Sequence, residues 1–159
     1  MHVFVIRHGI AEEAAAGQAD ADRELTSEGE RKVKEVAKGL KRLDIELERI
    51  IASPWRRARH TAELLRPICR AAPLGTELLC QSPKAELLAL IADRNETTGV
   101  VGHEPWLGEL VAWLAFGDTR HHTALELKRA GVVWLEGSAV PGEMSVRAIL
   151  PPSILARVK

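Results

Sequence analysis

The chain opens with the stretch VFVIRHG, residues 3–9, in which an apolar run is followed at once by a charged pair. Four consecutive apolar residues are typical of a strand that is buried on both faces of a sheet. Arg7 and His8 follow where such a strand ends, and Gly9 permits a tight turn and a close approach of backbone to a ligand. Because ligands bind beyond the carboxyl ends of strands in open α/β sheets, this pair marks a candidate site.

The remainder of the chain alternates short β-like runs with longer stretches of helical periodicity. Further strands are predicted at residues 49–52, 78–80, 99–101, 124–127, 132–135 and 145–150. Helices are predicted after residue 27, from Pro54, after Pro83 and from Pro105, and residues 14–21 are predicted to form a loop. This order predicts a three-layer α/β/α sandwich with a mostly parallel central sheet and an antiparallel edge among the late strands.

The sequence also predicts where the first helix begins and where the second one ends. Ser27 followed by Glu30 fits a capping box at the start of the first helix. One face of this helix carries apolar residues at steps of three and four, namely Val33, Val36, Ala37, Leu40 and Leu43. In the helix after Pro54, Pro67 predicts a kink or an early end, because proline removes a backbone donor.

Length and composition predict one domain that spans residues 1–159. With 46% apolar and 28% charged residues, the chain can bury a core without a metal or a disulfide. Cys69 and Cys80 lie in apolar stretches without CxxC spacing and are interpreted as reduced core residues. The apolar runs are too short for a signal peptide or a spanning helix, which predicts a cytoplasmic protein that does not enter a membrane. Zero net charge also argues against general nucleic-acid binding.

Basic residues follow two further predicted strands. Arg57 comes shortly after the strand at 49–52, near a helix start, where unpaired N–H groups attract anions. His103 directly follows the strand at 99–101. Taken singly, Arg57 could belong to a basic surface face and His103 could be a packed core histidine. Three strand ends that each present Arg or His predict one electropositive pocket in a neutral chain.

A compact dianion such as a phosphoryl group fits this pocket. Arg7 and Arg57 can each direct two N–H groups at phosphate oxygens. One histidine can attack phosphorus, because imidazole offers an unprotonated nitrogen near neutral pH. The other can donate hydrogen bonds as the phosphoryl group is transferred.

These residues resemble the motifs of the histidine phosphatase superfamily, which has the phosphoglycerate mutase-like fold, and they are similar to its SixA-type phosphohistidine phosphatases. The resemblance rests on four segments in order along nearly the whole chain: Arg7-His8-Gly9, Asp22-Arg23-x-Leu25-Thr26-x-x-Gly29, Ser53-Pro-x-x-Arg57-Ala-x-x-Thr61, and Gly102-His103-Glu104-Pro105.

The resemblance implies a mechanism and a substrate. His8 would form a covalent phosphohistidine intermediate, Arg7, Arg57 and His103 would hold the phosphoryl oxygens, and water would complete the hydrolysis. Neither a metal nor another cofactor is implied. The substrate would be a histidine-phosphorylated protein, such as a phosphotransfer domain or a phosphocarrier.

The chain departs from many relatives in one respect, which bears on the substrate. Mutases and many phosphomonoesterases of the superfamily carry an acidic proton donor, because an alkoxide leaving group needs a proton. Cys80-Gln81-Ser82 stand where that acid is expected, and Glu77 and Glu86 lie out of register. Its absence favours phosphohistidine, since imidazole leaves more easily. If Glu77 is the acid after all, the chain is a phosphomonoesterase for small molecules or phosphoproteins.

Other readings of the chain stay open at this point. A non-catalytic phosphate-binding module would keep Arg7 and Arg57 without a working His8. The pair at 121–122 could bind a metal, but no His or Cys cluster accompanies it at ligand spacing. Three tryptophans, Trp106, Trp113 and Trp134, are interpreted as core residues. Arg23 is predicted to lie at the pocket mouth.

Overall fold

The computed structural model describes residues 1–159 and contains one six-stranded sheet. Its strands are β1 (His2–Arg7), β2 (Arg49–Ala52), β3 (Leu74–Gly75), β4 (Thr98–Gly102), β5 (Val132–Gly137) and β6 (Met144–Leu150). They lie in the order β3-β2-β4-β1-β5-β6. The first four in this order run parallel, and β5 and β6 add antiparallel pairs at one edge. The predicted α/β fold class is confirmed, including its antiparallel edge.

Helices cover both faces of the sheet. They are α1 (Ser27–Arg42), α2 (Arg56–Leu64), α3 (Ala85–Ala92), α4 (Trp106–Phe116) and α5 (Pro152–Leu155). One core cluster joins β1 to α1, α2 and α5, and the other joins β1 to α3 and α4. Phe4 and Ile6 belong to the first cluster and Val3 and Val5 to the second. Both faces of β1 are therefore buried, which explains its unbroken apolar run. None of the helices has the length and apolar character needed to cross a bilayer.

The boundaries of α1 and α2 differ in detail from the prediction. Thr26, not Ser27, caps α1, because the Thr26 hydroxyl oxygen accepts a hydrogen bond of 2.9 Å from the backbone N–H of Gly29. Leu43 follows the end of α1 and is 43% exposed, so it is not part of the apolar face. The early end predicted before Pro67 is confirmed, since α2 stops at Leu64.

Two predicted strands are wrong. Residues 77–79 form a 3-10 turn, in which the backbone N–H of Leu78 donates to the Thr76 hydroxyl. Residues 122–125 form a second 3-10 turn, and the backbone N–H of Leu127 donates to a Glu104 carboxylate oxygen rather than to a strand. A short apolar run does not by itself distinguish a strand from a 3-10 turn, and of the residues in these two turns only Leu79 is buried. Both cysteines are free, but they are half-buried rather than core residues.

The sheet brings the candidate residues together. Strand β4 lies between β1 and β2, and all three run parallel, so their carboxyl ends meet at one edge. In the register of the sheet Arg7 pairs with Gly102, the residue before His103. The helix that carries Arg57 begins shortly after β2 at the same edge.

We expect Gly29→Ala to destabilise the protein by about 2 kcal/mol, because overpacking at a close approach forces the backbone to shift. A Cβ at Gly29 would overlap the carbonyl oxygen of Ile10, which also accepts from the backbone N–H of Thr26. Gly75→Ala is the matched control, since a Cβ there meets nothing within 4 Å. Urea denaturation measures both. Equal free energies of unfolding for the two variants would contradict this account of how α1 is attached.

Candidate active site

Three of the predicted site residues share one buried cluster. His8, Arg57 and His103 are 7%, 4% and 3% exposed. The rings of His8 and His103 lie 5.1 Å apart, and Arg57 Nε donates to His8 Nε2 at 3.2 Å. Arg7 directly precedes His8 and is half-buried. The structure therefore brings all four predicted residues to one place.

His8 is held as one defined neutral tautomer. Its Nδ1 lies 2.7 Å from the carbonyl oxygen of Gly9, which can only accept, so the ring hydrogen is on Nδ1. The guanidinium of Arg57 can only donate, so Nε2 keeps its lone pair. Burial, with the charges of Arg57 and Arg7, lowers the pKa of His8 to about 4, although the bond to Gly9 opposes the shift. At neutral pH His8 thus has an unprotonated Nε2, as a nucleophile requires.

Arg57 is held by a residue that the sequence did not reveal. Its NH1 donates to the backbone oxygen of Asp20 at 2.6 Å, and its NH2 donates to the Asp20 carboxylate at 2.9 Å. Arg23 donates to the other Asp20 oxygen at 2.9 Å, which places Arg23 at the edge of the site. These hydrogen bonds, led by the one from Arg23, lower the pKa of Asp20. Arg57 has five N–H donors, of which the contacts to Asp20 and His8 use three and leave two for an anion.

His103 is bonded at one ring nitrogen and free at the other. Its Nε2 lies 2.8 Å from the hydroxyl oxygen of Ser53, whereas Nδ1 is buried without a partner. Burial, followed by the fields of His8 and Arg57, lowers the pKa of His103 to about 3. When Ser53 donates to Nε2, the ring hydrogen is on Nδ1, which then can donate to a bound anion.

Two tryptophans form the wall beside His103. Trp55 packs against the His103 ring at 4.6 Å and lies under the Arg57 guanidinium at 4.9 Å. Trp106 meets the same histidine edge-on at 6.1 Å and is only partly buried. The interpretation of Trp106 as a core residue is therefore wrong, because Trp106 is half-buried and contacts His103 in the site. Trp55 was missed, although its position between Ser53 and Arg57 was a usable signal.

Glu104, two residues after the end of β4, positions Arg7 through Leu127. Arg7 NH1 donates to the carbonyl oxygen of Leu127 at 2.7 Å, and the Leu127 N–H donates to Glu104 at 2.7 Å. The second Glu104 oxygen accepts from the backbone N–H of Gly108 at 3.0 Å. Arg7 Nε is buried without a partner, and burial lowers the pKa of Arg7. Arg7 Nε and His103 Nδ1 are thus two unpaired polar atoms near His8.

Gly9 joins the strand end to the neighbouring helices. Its N–H donates to the Thr61 hydroxyl at 3.0 Å, and that hydroxyl donates to the Arg57 carbonyl oxygen at 2.7 Å. A Cβ at Gly9 would lie 2.8 Å from Val33. The close approach expected at Gly9 is therefore to α1 rather than to a ligand.

Glu77 lies at the rim of the site. It is exposed and lines a groove of about 330 Å³ with Trp55 and Asp22. Burial raises the pKa of the Cys80 thiol, and the nearby Glu77 adds to this effect. Cys80 in turn contacts Ser53 at 3.3 Å. No carboxylate hydrogen-bonds either His8 or His103.

The histidine pair at 121–122 forms no cluster. The chain contains no group of three or more His, Cys, Asp or Glu residues arranged to hold a metal ion. His122 Nδ1 instead lies 2.9 Å from the carbonyl oxygen of Thr119.

Known proteins match both the sequence and the fold. A model of the histidine phosphatase superfamily (branch 1) matches residues 3–77. Phosphohistidine phosphatase SixA of Escherichia coli is 35% identical over 127 residues, which are 75% of this chain and 77% of that protein. An uncharacterized protein of Picosynechococcus sp. is 40% identical over 149 residues, 87% of each chain. The structure of the protein histidine phosphatase SixA complexed with tungstate has a TM-score of 0.80 at 27% identity, over 98% of this chain and 99% of that one.

The chain belongs to the histidine phosphatase superfamily, and it is a phosphatase. The family and the phosphoglycerate mutase-like fold expected from the sequence are confirmed. The alternative of a non-catalytic phosphate-binding module is set aside.

We expect the His8 imidazole to stay neutral, with its hydrogen on Nδ1, from pH 8 down to about pH 5. The pKa lowered to about 4 means that protonation begins only below that range. The ¹⁵N chemical shifts of the histidine rings report both protonation and tautomer, and His8→Asn identifies the signals of His8. A titration midpoint near the ordinary value of about 6.5, or a hydrogen on Nε2, would contradict this arrangement.

Proposed function

We propose that this phosphatase removes phosphate from phosphohistidine on a histidine-phosphorylated protein, through a covalent intermediate on His8. The observation that carries the proposal is the state of His8. Its Nε2 is unprotonated and directed at Arg57, while its Nδ1–H is bonded to the Gly9 carbonyl. Such a nitrogen is ready to form a bond to phosphorus without a general base.

In the first step, the lone pair of His8 Nε2 attacks phosphorus and the P–N bond of the substrate breaks. The substrate imidazole, protonated beforehand on its second nitrogen, leaves as a neutral ring. As the bond to Nε2 forms, positive charge develops on His8, and the Gly9 carbonyl stabilises it through Nδ1–H. The loose transition state needs positioning and charge stabilisation more than covalent help.

The phosphoryl oxygens are received by donors that the protein leaves unpaired. They are the two remaining N–H groups of Arg57, Arg7 Nε and His103 Nδ1. A buried donor without a partner costs free energy, so an anion that pairs with it gains correspondingly. These residues, together with His8, form the proposed catalytic and phosphate-binding set.

In the second step, water attacks phosphorus of the phosphorylated His8. The P–Nε2 bond breaks, its electron pair returns to Nε2, and the water proton passes to the released phosphate or to solvent. The free enzyme is restored with Nδ1–H still bonded to Gly9. Neither step calls on a metal, so we expect turnover to survive EDTA.

The chemistry of the leaving group supports phosphohistidine as the substrate. An alkoxide needs a proton from a nearby acid, whereas a protonated imidazole leaves unaided. No carboxylate hydrogen-bonds either active-site histidine, and Glu77 is exposed at the rim. The relative in Escherichia coli that is 35% identical is a phosphohistidine phosphatase, which supports the same substrate class.

One observation favours a second candidate function. Glu77 lines the groove that Trp55 borders, and Trp55 packs on both Arg57 and His103. A leaving group that enters through this groove would pass Glu77. In that case Glu77 would donate a proton, and the protein would act on phosphate monoesters.

We expect kcat/KM for a histidine-phosphorylated phosphotransfer domain to exceed that for a panel of phosphate monoesters by about a hundredfold or more, the usual contribution of a general acid. His8→Ala should abolish both activities, and Glu77→Gln should leave the phosphohistidine rate unchanged. Phosphate release under matched conditions measures all three proteins. Efficient monoester hydrolysis that Glu77→Gln removes would favour the second candidate function instead.

We expect Arg57→Ala to lower kcat/KM for phosphoimidazole about a hundredfold, because it removes donors that stabilise transition-state charge, a loss of about 3 kcal/mol. Arg56→Ala is the matched control. Arg56 is the adjacent exposed arginine and pairs with Glu24 at 2.6 Å, away from His8. A similar loss in both variants would contradict a direct role for Arg57 and indicate a general effect of positive charge.

A further inference from the structure

A turn at residues 126–131 places two unpaired basic side chains beside the active site. Lys128 and Arg129 are exposed, and no ion pair in the chain includes either of them. With Arg7, Lys32, Glu126 and residues 151–153 they line an open cavity of about 610 Å³, here named the basic groove. The groove therefore begins at an active-site arginine and continues outward.

The turn is attached directly to the strand end that carries His8. The backbone N–H of Ala130 donates to the carbonyl oxygens of Arg7 and His8, both at 3.1 Å. Gly131 closes the turn by donating to Lys128 at 2.7 Å, and its own carbonyl accepts from Arg7 at 3.1 Å. Lys128 and Arg129 thus project from a backbone whose position is set by the active site.

The charge of the basic groove is one-sided. Four basic residues and one carboxylate line it, in a chain whose net charge is zero. Lys32 is partly neutralised by Glu28 at 2.9 Å, but Lys128 and Arg129 have no such partner. Outside the active site, the uncompensated positive charge of the groove therefore lies on Lys128 and Arg129.

We propose that the basic groove binds carboxylate side chains that lie next to the phosphohistidine on the substrate protein. This inference rests on the proposed function and adds a determinant of which proteins are dephosphorylated. The active site accounts for the phosphoryl group alone, which leaves the exposed bases of the groove without a role in chemistry. An acidic surface around the phosphohistidine complements them, and such complementarity acts mainly on association and specificity.

Substrate size separates this role from catalysis. A histidine-phosphorylated protein reaches the groove while its phosphohistidine occupies the active site. Phosphoimidazole has no side chains and reaches only the active site. Lys128 and Arg129 should therefore act on kcat/KM for the protein and leave turnover of phosphoimidazole as it is.

The test is the double variant Lys128→Gln/Arg129→Gln, assayed on a phosphotransfer domain with acidic residues beside its phosphohistidine and on phosphoimidazole. Arg66→Gln/Arg70→Gln is the matched control. It removes the same charge from two exposed arginines near the other edge of the sheet, where the Arg70 N–H donates to Leu47, just before β2. Thermal melts establish that each variant is folded.

We expect the double variant to lose about tenfold or more in kcat/KM for the protein at low salt, with a shallower salt dependence, because exposed charges act over a Debye length of about 10 Å at 0.1 M salt. Phosphoimidazole turnover and the control variant should stay within about twofold of the wild type. Neutralising the acidic residues of the phosphotransfer domain should reproduce the loss with the wild-type enzyme.

Each contrary result has a distinct meaning. Unchanged kcat/KM for the protein in the double variant would overturn the inference while leaving the proposed function intact. An equal loss on phosphoimidazole would overturn it too, because the turn would then act through the active site. An equal loss of kcat/KM for the protein in the control variant would also overturn it, because the loss would then follow from the overall charge of the enzyme and not from the basic groove. Failure of the wild type to hydrolyse either phosphohistidine substrate would overturn the proposed function, and the inference with it.

Discussion

Two hydrogen bonds fix the tautomer and the orientation of His8, and the other active-site residues are arranged around this ring. The Gly9 carbonyl takes the Nδ1 hydrogen, and Arg57 Nε faces the lone pair of Nε2. Both partners must stay in place for the ring to keep this tautomer and this orientation, while burial keeps it neutral. The Thr61 hydroxyl provides this by joining the Gly9 N–H to the Arg57 carbonyl, so that the end of β1 and the first turn of α2 are held together. The parallel arrangement of β1, β4 and β2 brings these elements to one edge.

Each of the other site residues is held by a partner from a different part of the chain. Asp20 holds Arg57, Ser53 holds His103, and the Leu127 carbonyl, fixed by Glu104, holds Arg7. Arg57, His103 and Arg7 each keep at least one N–H donor that these contacts do not use. Two of these donors, Arg7 Nε and His103 Nδ1, are buried without a hydrogen-bond partner. A protein interior tolerates few unpaired buried donors, because each costs free energy. The unpaired buried donors around His8 therefore indicate a binding site for an anion.

The sequence predicted those parts of the molecule that depend on neighbours along the chain. Examples are the buried run of β1 and the amphipathic face of α1. The residues that follow each predicted strand include Arg7, His8, Arg57 and His103, which were predicted to share one pocket. The sequence did not predict Asp20 or Glu104 in their roles, because these contact Arg57 and Leu127 across 37 and 23 residues. The runs at 78–80 and 124–127 are short and rich in leucine, and such a run does not by itself distinguish a strand from a 3-10 turn. The expected position of Glu77 relative to the site depended on the strand predicted at 78–80. A 3-10 turn replaces that strand, and Glu77 therefore lies at the rim.

Whether His8 Nε2 is the nucleophile is tested most directly by locating phosphorus in the trapped intermediate. The enzyme is mixed rapidly with a phosphotransfer domain labelled with ³²P on its histidine, and the reaction is stopped in alkaline detergent, because phosphoramidates hydrolyse in acid. Peptide mapping and comparison with the two phosphohistidine isomers identify the residue and the nitrogen. We expect the label on Nε2 of His8, at a level that rises and falls within the first turnovers. Label on Nδ1, label on another residue, or full turnover with no labelled enzyme would contradict the account.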